Sequence, residues 1–165
     1  MVDMNDKLHQ LNVTYSSKED RLLLRVTTHS GDEFRIWLTR RFTGLLFSIL
    51  EKEMDKRGGI NKLGTSDKTR QMFKAGAFEK KFEHEKTVNY PLGEQGFLAF
   101  GIKVSNAEEG NILLELLPEK GPGVTINLNS SLLYMMHNLL SQGVMKAEWQ
   151  QQVSETKDQI SSQVH

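Results

Sequence analysis

The sequence predicts an α+β fold made of two pseudo-symmetric β-β-β-α repeats, each an antiparallel meander followed by a helix. Three observations lead to this prediction. Residues 22–50 align without a gap with residues 112–140, at an offset of 90 positions. In both stretches the apolar residues recur first with the period of two that strands have, and then with helical spacing. Six of the 29 aligned pairs are identical, so the agreement rests on the apolar pattern; the alternative is a chance match of two ordinary strand–turn–strand–helix units.

The first repeat contains a predicted hairpin with strands at 22–28 and 33–38. Both strands alternate between apolar and polar side chains, as half-buried strands do. The loop at 29–31 places facing residues on the same side of the sheet, and Gly31 occupies the loop position that favours a left-handed conformation. The pairs that face the core are then Val26–Phe34, Leu24–Ile36 and Leu22–Leu38.

A helix is predicted after each hairpin. Thr39 and Asn129 are good N-cap residues, because their side chains can accept hydrogen bonds from the free backbone N–H groups of the first turn. Apolar side chains then recur at i, i+3, i+4 and i+7, which is an amphipathic pattern. Glycines end many helices, so Gly58–Gly59 are predicted to end the first helix and Gly143 the second.

One domain is predicted for residues 1–143, because a single repeat would bury only one face of a small sheet. It consists of repeat 1 (8–57), an insert (58–96) and repeat 2 (97–143). Each repeat is predicted to open with a further strand, at 11–15 and at 97–104.

The insert and the C-terminal tail are predicted to contain helices. In the insert, residues 65–67 form a cap for a helix that continues through Phe73 and Phe78, and residues 86–90 are a candidate fourth strand. The tail, 144–165, carries a narrow apolar stripe that includes Met145 and Trp149. This stripe fits a helix packed on the domain or on a second chain; the alternative is a fraying terminal helix.

Composition limits the class of protein. The chain has 165 residues, 38% of them hydrophobic and 25% charged, which is typical of a globular protein. Its 21 basic and 21 acidic residues balance, so the overall charge favours neither nucleic acid nor an anionic membrane. It contains no cysteine, and its N-terminus lacks the apolar core of a signal peptide. These features predict a cytoplasmic protein.

The outward face of the first hairpin carries a candidate contact surface. The predicted pairing places Arg25 opposite Arg35, and like charges that face each other across strands are unfavourable. It also places an apolar pair on a face that would ordinarily be solvated. Two further arginines begin the following helix, where the helix dipole disfavours cations. The candidate contact surface consists of Leu23, Arg25, Arg35, Trp37, Arg40 and Arg41.

Three explanations of this surface compete. The insert or the tail could cover it, with the arginines paired to carboxylates such as Glu79, Glu83 or Glu85. It could bind a protein, since Trp and Arg are enriched at interface hot spots. It could bind an anionic ligand or single-stranded nucleic acid, with a base stacked on Trp37 and arginines on phosphates.

The sequence contains no recognisable catalytic or metal-binding motif. The five histidines (9, 29, 84, 137 and 165) lack the spacing of metal ligands. The Glu83–Glu85 cluster is typical of a solvated helix end, and the glycines of 93–101 lead into a strand and not into a phosphate-binding helix. We therefore expect no catalytic residue, no metal site and no cofactor.

The segment FRIWLTRRF and the helix after it resemble a segment found in small uncharacterised bacterial proteins, over residues 21–50. That resemblance implies no activity. The order of elements is also similar to that of Whirly-type single-stranded DNA-binding proteins. Those proteins have four strands per repeat and a strongly basic surface, whereas this chain has three clear strands in its first repeat and no net charge. A likeness of topology does not transfer function.

The leading hypothesis is a non-enzymatic protein-binding or assembly module of a bacterial cytoplasm. Its partner would be another protein or a second copy of the chain, and no membrane partner is expected. The alternative is a single-stranded nucleic-acid binding protein of Whirly-like topology.

Overall fold

The computed structural model describes residues 2–3, 8–65, 70 and 89–149, and they form an α+β fold. Eight strands and three α-helices are defined in these ranges. The strands are β1 (Val2–Asp3), β2 (Leu8–Ser16), β3 (Arg21–Thr28), β4 (Glu33–Leu38), β5 (Phe97–Leu98), β6 (Gly101–Asn106), β7 (Ile112–Leu117) and β8 (Val124–Leu128). The helices are α1 (Arg40–Asp55), α2 (Ile60–Gly64) and α3 (Ser130–Ala147).

The strands form two sheets of four strands each. The first sheet has the order β2-β3-β4-β5 and the second has the order β1-β8-β7-β6. In each sheet three strands form an antiparallel meander, and a two-residue strand pairs in parallel with the last of them: β5 with β4, and β1 with β8. The short strands come from elsewhere in the chain, so each sheet contains a strand from the segment that leads into the other meander.

The predicted register of the first hairpin is confirmed. Leu22 faces Leu38, Leu24 faces Ile36 and Val26 faces Phe34. In the second meander the matching positions pair in the same way, with Leu114 opposite Ile126. Leucine and isoleucine at these positions are fully buried. Because side chains alternate strictly across a strand, this register also decides which residues face outward.

The prediction of one continuous strand over residues 97–104 is wrong. Phe97 and Leu98 pair in parallel with β4, whereas Gly101 begins an antiparallel pairing with β7. Between them the Ala99 N–H donates to the Trp37 carbonyl at 2.9 Å, and the Phe100 N–H donates to the Leu117 carbonyl at 2.8 Å. The chain therefore crosses from one sheet to the other within two residues, and hydrophobic alternation alone does not indicate such a change of partner.

Both helix starts are confirmed, and one helix end is not. The Thr39 side chain accepts from the Phe42 N–H at 3.1 Å, and the Asn129 side chain accepts from the Leu132 N–H at 2.9 Å. Gly143 lies inside α3 and does not end it. The helix continues to Ala147, and Glu148 ends it in a left-handed conformation.

Gly143 is in the helix because α3 packs closely on the first sheet. A Cβ atom at this position would lie 3.0 Å from Val13 Cγ1 and 3.1 Å from Leu22 Cδ2. Both distances are shorter than ordinary van der Waals contact. The glycine therefore serves close packing of the helix against β2 and β3, and not termination.

One hydrophobic cluster contains residues of both sheets and of all three helices. It joins the two meanders into one core. Within the ranges that the structure describes, no helix is long and apolar enough to cross a membrane.

Several predicted features lie outside the described residues. These are the insert helix beyond residue 65, with Glu79, Glu83 and Glu85, most of the candidate strand at 86–90, and the tail beyond Trp149. Within the described part of the tail, Met145 and Trp149 do not share a face: Met145 is 70% exposed and Trp149 is 3% exposed. The helix ends between them, so the predicted stripe is broken at Glu148.

Candidate functional site

The structure separates the six residues of the candidate contact surface into three groups. Leu23 is buried, with 7% of its surface exposed, so it cannot contact a partner in this conformation. Arg25, Arg35 and Trp37 are half-buried on the outward face of the first sheet, and Arg40 and Arg41 are exposed at the start of α1.

The two facing arginines are compensated inside the chain. Arg25 lies directly opposite Arg35, as the hairpin register predicts. Burial lowers the pKa of Arg25, and the Arg35 cation lowers it further. The fully buried carboxylate of Glu33 forms an ion pair with Arg35 and favours the charged form of Arg25. Glu33 therefore explains how the sheet tolerates two cations side by side.

A loop formed by residues 89–96 binds Arg35 and Trp37. The Arg35 guanidinium donates to the Glu94 carbonyl at 3.0 Å and lies 4.9 Å from the centre of the Tyr90 ring. The indole N–H of Trp37 donates to the Gln95 carbonyl at 3.0 Å. The end of the insert thus covers part of this face, which is one of the three explanations drawn from the sequence. Arg35 is held there by a backbone carbonyl and an aromatic ring. The carboxylates of Glu79, Glu83 and Glu85 lie outside the described residues.

The 89–96 loop is attached to β4 at both ends. The Glu33 N–H donates to the Asn89 carbonyl at 2.9 Å, next to a parallel bridge between Asn89 and Asp32, and β5 continues the pairing from Phe97. Gly96 allows the close approach between them: a Cβ atom there would lie 2.1 Å from the Arg35 carbonyl oxygen, and its φ is +69°. The loop sequence alone does not show this contact, because it depends on which strand edge the glycine meets.

We expect Gly96→Ala to release the 89–96 loop from β4. The alanine would be strained by its positive φ and would collide with the Arg35 carbonyl, which together destabilise the protein by about 1–3 kcal/mol. Hydrogen exchange of the Trp37 indole N–H should accelerate while that of Trp149 does not. Gly93→Ala is the matched control, since Gly93 has a φ of +90° and nothing within 4 Å of its Cβ position. Equal effects of the two variants would contradict the close-approach argument.

Four exposed or half-buried apolar residues lie where the chain crosses between the sheets, and we call them the junction patch: Trp37, Leu98, Phe100 and Leu117. Leu98 is 42% exposed and Phe100 is 70% exposed. Leu98 pairs directly with Trp37, so both side chains are on the outward face of the first sheet. Sequence analysis missed this patch, because a continuous strand would have placed Leu98 and Phe100 on one ordinary face of a single sheet.

A second group of side chains holds the end of α3, and we call it the C-terminal clasp: Tyr15, Asp20, Arg40 and Trp149. The Asp20 carboxylate accepts from the Tyr15 hydroxyl at 2.6 Å and from the Trp149 indole at 3.1 Å. Arg40 donates to the Trp149 carbonyl at 3.1 Å. The hydrogen bond to Asp20 raises the pKa of Tyr15, and the bonds from Tyr15 and Trp149 lower the pKa of Asp20. Arg40 thus has a structural partner, which the sequence did not indicate.

A third polar group joins α1 to the turn between β6 and β7. Burial would raise the pKa of Glu53, but hydrogen bonds from Lys56 and Arg57 outweigh it and lower that pKa. Arg57 also donates to the Gly110 carbonyl at 2.6 Å. These contacts fasten the end of α1 to the turn between β6 and β7.

The described histidines are similarly engaged with neighbours. His137 lies 3.2 Å from a Glu51 oxygen and packs edge-on against Phe47, while His9 and His29 contact each other. Among residues 8–65 and 89–149, no three His, Cys, Asp or Glu side chains lie close enough to hold a metal ion together.

The chain was compared with known proteins in three ways. No family model, no curated protein and no solved structure matches it.

Proposed function

We propose that this chain is a non-enzymatic protein-binding or assembly module that makes its main contact through the junction patch. The observation that carries the proposal is the exposure of Phe100, 70%, beside the 42% exposure of Leu98. Exposed aromatic and apolar residues that adjoin one another mark protein-binding sites more often than plain surface. Half-buried Trp37 and Leu117 extend the patch across both sheets.

The proposal moves the contact surface away from most of the residues first considered. Arg35 and Trp37 donate hydrogen bonds to the 89–96 loop, and Leu23 is buried. Arg35 and Trp37 therefore support the loop that leads directly into Leu98 and Phe100. Arg41, which is exposed, stays a candidate for contact with an acidic partner.

The polar clusters support binding over catalysis. Among the described residues, the pKa is displaced for Tyr15, Asp20, Arg25 and Glu53. For Tyr15 and Asp20 the main cause is a hydrogen bond between separate parts of the fold, whereas for Arg25 it is burial next to Arg35. A catalytic acid or base would instead face a concave site that admits substrate.

Single-stranded nucleic-acid binding is the less favoured alternative. A base would have to stack on Trp37, whose indole is bonded to the 89–96 loop and half-buried. The net charge of zero gives no long-range attraction to phosphate. Titration with an oligonucleotide at low and moderate salt tests this alternative: tight binding with a steep salt dependence would favour it.

We also infer that the two meander–helix units descend from one duplicated unit. The support is the matching register of Leu24–Ile36 and Leu114–Ile126, together with the same N-cap geometry before α1 and α3. The outward residues differ between the units, which is what a site confined to one part of a doubled fold requires. A cytoplasmic and bacterial setting stays part of this proposal.

A photocrosslinking amino acid at position 100 tests the junction patch directly. We expect it to capture a discrete protein in cells that produce the chain, and Phe100→Ser to weaken binding of that protein, once purified, by about 30-fold, as loss of an interface hot spot does. Isothermal titration calorimetry measures the affinity.

Met145 provides the matched control, because it has the same exposed fraction as Phe100, 70%, and lies on α3. The crosslinker at 145 should capture nothing discrete, and Met145→Ser should leave the affinity unchanged. Equal capture at 100 and 145, or an affinity that Phe100→Ser does not change, would overturn the proposal.

A further inference from the structure

We propose that the partner at the junction patch is a second copy of this chain, which pairs with it edge to edge through antiparallel β6 strands. This inference rests on the proposed function and names its partner. Strand β6 begins at Gly101, immediately after Phe100, and it is the last strand of the second sheet among the described residues. The edge of β6 therefore begins directly beside Phe100 of the junction patch.

The direction of the β6 backbone groups follows from one hydrogen bond. The Ala107 N–H donates to the Asn111 carbonyl at 2.8 Å, and these residues continue the register in which Asn106 faces Ile112. Backbone groups in an antiparallel pair point alternately toward and away from the partner strand. Residues 101, 103 and 105 therefore bond to β7, and Ile102, Val104 and Asn106 direct their N–H and C=O groups to the open edge.

A helix packs against the core-facing side chains of the edge strand of the first sheet. Strand β2 is the edge of the first sheet, and α3 packs on it at Gly143, close to Val13. At an offset of 90 the position in α1 that matches Gly143 is Glu53, which is engaged with Lys56 and Arg57. The apolar side chains of β6 that face the core, Ile102 and Val104, are only half-buried.

A symmetric pairing of two β6 strands fits one register best. With Val104 opposite Val104 of the second copy, the edge-directed residues meet and form ladder hydrogen bonds in both directions. Lys103 then faces Ser105, whereas a shift of one pair would place two lysines opposite each other, which is unfavourable. Within the chain Lys103 lies opposite Glu115 in the β6–β7 register.

The overall charge and the exposed apolar side chains also suit a second copy as the partner. A chain with a formal net charge of zero has no long-range repulsion from its own copies. A two-fold axis at Val104 sets the Phe100 residues of the two copies on opposite sides of that axis, each at one end of the paired strands. The new sheet would have eight strands, twice the four of each second sheet, and the two β6 edges would be paired with each other.

The absence of cysteine from the chain makes a crosslinking test clean. In the proposed register, residues 103 and 105 of opposite copies form a pair that is not hydrogen-bonded, with Cα atoms about 4.5 Å apart, which is a distance that disulfides accept. The double variant Lys103→Cys/Ser105→Cys should form a covalent dimer under mild oxidation. Lys103→Cys/Asn106→Cys places its cysteines on opposite faces and should not.

Sedimentation equilibrium of the full chain gives the second measurement. Val104→Pro removes an edge-directed N–H without removing a bond to β7, and we expect it to raise the dimer dissociation constant at least tenfold, whereas Val104→Ala keeps the N–H and should change it much less. If Val104→Pro does not fold, disulfide crosslinking of the Lys103→Cys/Ser105→Cys variant still tests whether the β6 strands pair.

The outcomes separate the two proposals. A chain that stays monomeric at high concentration and gives no covalent dimer overturns the second-copy partner. If the crosslinker at Phe100 then captures a different protein, the protein-binding function stands without it. A covalent dimer that Val104→Pro abolishes supports both.

Discussion

Replacing Trp149 with alanine should lower the free energy of unfolding by about 3 kcal/mol, as truncation of a buried aromatic side chain does. Trp149 is 3% exposed, and it packs edge-on against Tyr15 with ring centres 6.2 Å apart. The substitution removes this packing together with the indole hydrogen bond to Asp20. Urea unfolding followed by far-ultraviolet circular dichroism measures the loss.

Two variants check that the C-terminal clasp is responsible. Trp149→Phe keeps most of the packing and loses the N–H, so it should destabilise the protein less than Trp149→Ala. Met145→Ala, one turn earlier and exposed, should change stability by no more than about 0.5 kcal/mol. Equal stability of the Trp149→Ala and Met145→Ala proteins would show that the C-terminal clasp does not contribute to the free energy of unfolding.

The dependence of unfolding free energy on pH tests the contribution of the Asp20 carboxylate to the C-terminal clasp. Hydrogen bonds from Tyr15 and Trp149 hold the pKa of Asp20 below its ordinary value of 3.8. The folded pKa is thus lower than the unfolded one, so the stabilisation is complete above about pH 4 and is lost as the pH falls through the folded pKa. Asp20→Asn should lack this contribution at neutral pH, and its stability should fall less steeply in acid.

Replacing Gly143 with leucine should destabilise the protein by about 3 kcal/mol or more. The added side chain would enter space already occupied by Val13 and Leu22, since even a Cβ atom would lie 3.0–3.1 Å from their methyl groups. Overpacking of this kind usually costs about 1–3 kcal/mol, and here the helix would have to move away from two strands at once. Thermal and urea unfolding measure the change.

Gly44 in α1 is the matched control for this substitution. It is exposed and helical, and nothing lies within 4 Å of its Cβ position. Gly44→Leu should stabilise the helix by about 0.5–1 kcal/mol, because leucine is a much better helix former than glycine. The same change in two helices therefore has opposite expected signs. Destabilisation of both variants to the same extent would mean that helix packing on β2 is not the reason.

At the candidate site, the local sequence pattern predicts the pairing of neighbouring strands but not contacts with distant segments. The alternation of residues 22–38 was enough to place Arg25 opposite Arg35 and Leu23 opposite Trp37, because register follows from loop length and from the apolar face. It could not show that the 89–96 loop would bind Arg35 and Trp37, since the donors and the carbonyls are almost 60 residues apart in the chain. Every residue has a backbone carbonyl, so the sequence does not indicate which carbonyls accept hydrogen bonds from Arg35 and Trp37.

The junction patch depended on tertiary structure for a different reason. Residues 97–104 alternate well enough to be one strand, and only the available edges of two sheets decide that Leu98 pairs with β4 while Gly101 pairs with β7. The exposure of Phe100 follows from that crossing. Gly143 is a similar case, because a glycine in a helical pattern can end the helix or allow close packing, and the neighbouring strand decides between them.

The sequence by itself determined the α+β class, the hairpin register, the positions of both helix caps and the core-facing side chains of the two hairpins. These properties depend on periodicity and on interactions between residues a few positions apart. The tertiary structure alone decided the exchange of short strands between the sheets, the partners of Arg35 and Trp37, and the exposure of Leu98 and Phe100. Each of these depends on which distant edge or surface a segment meets, and that is set by the packing of the whole chain.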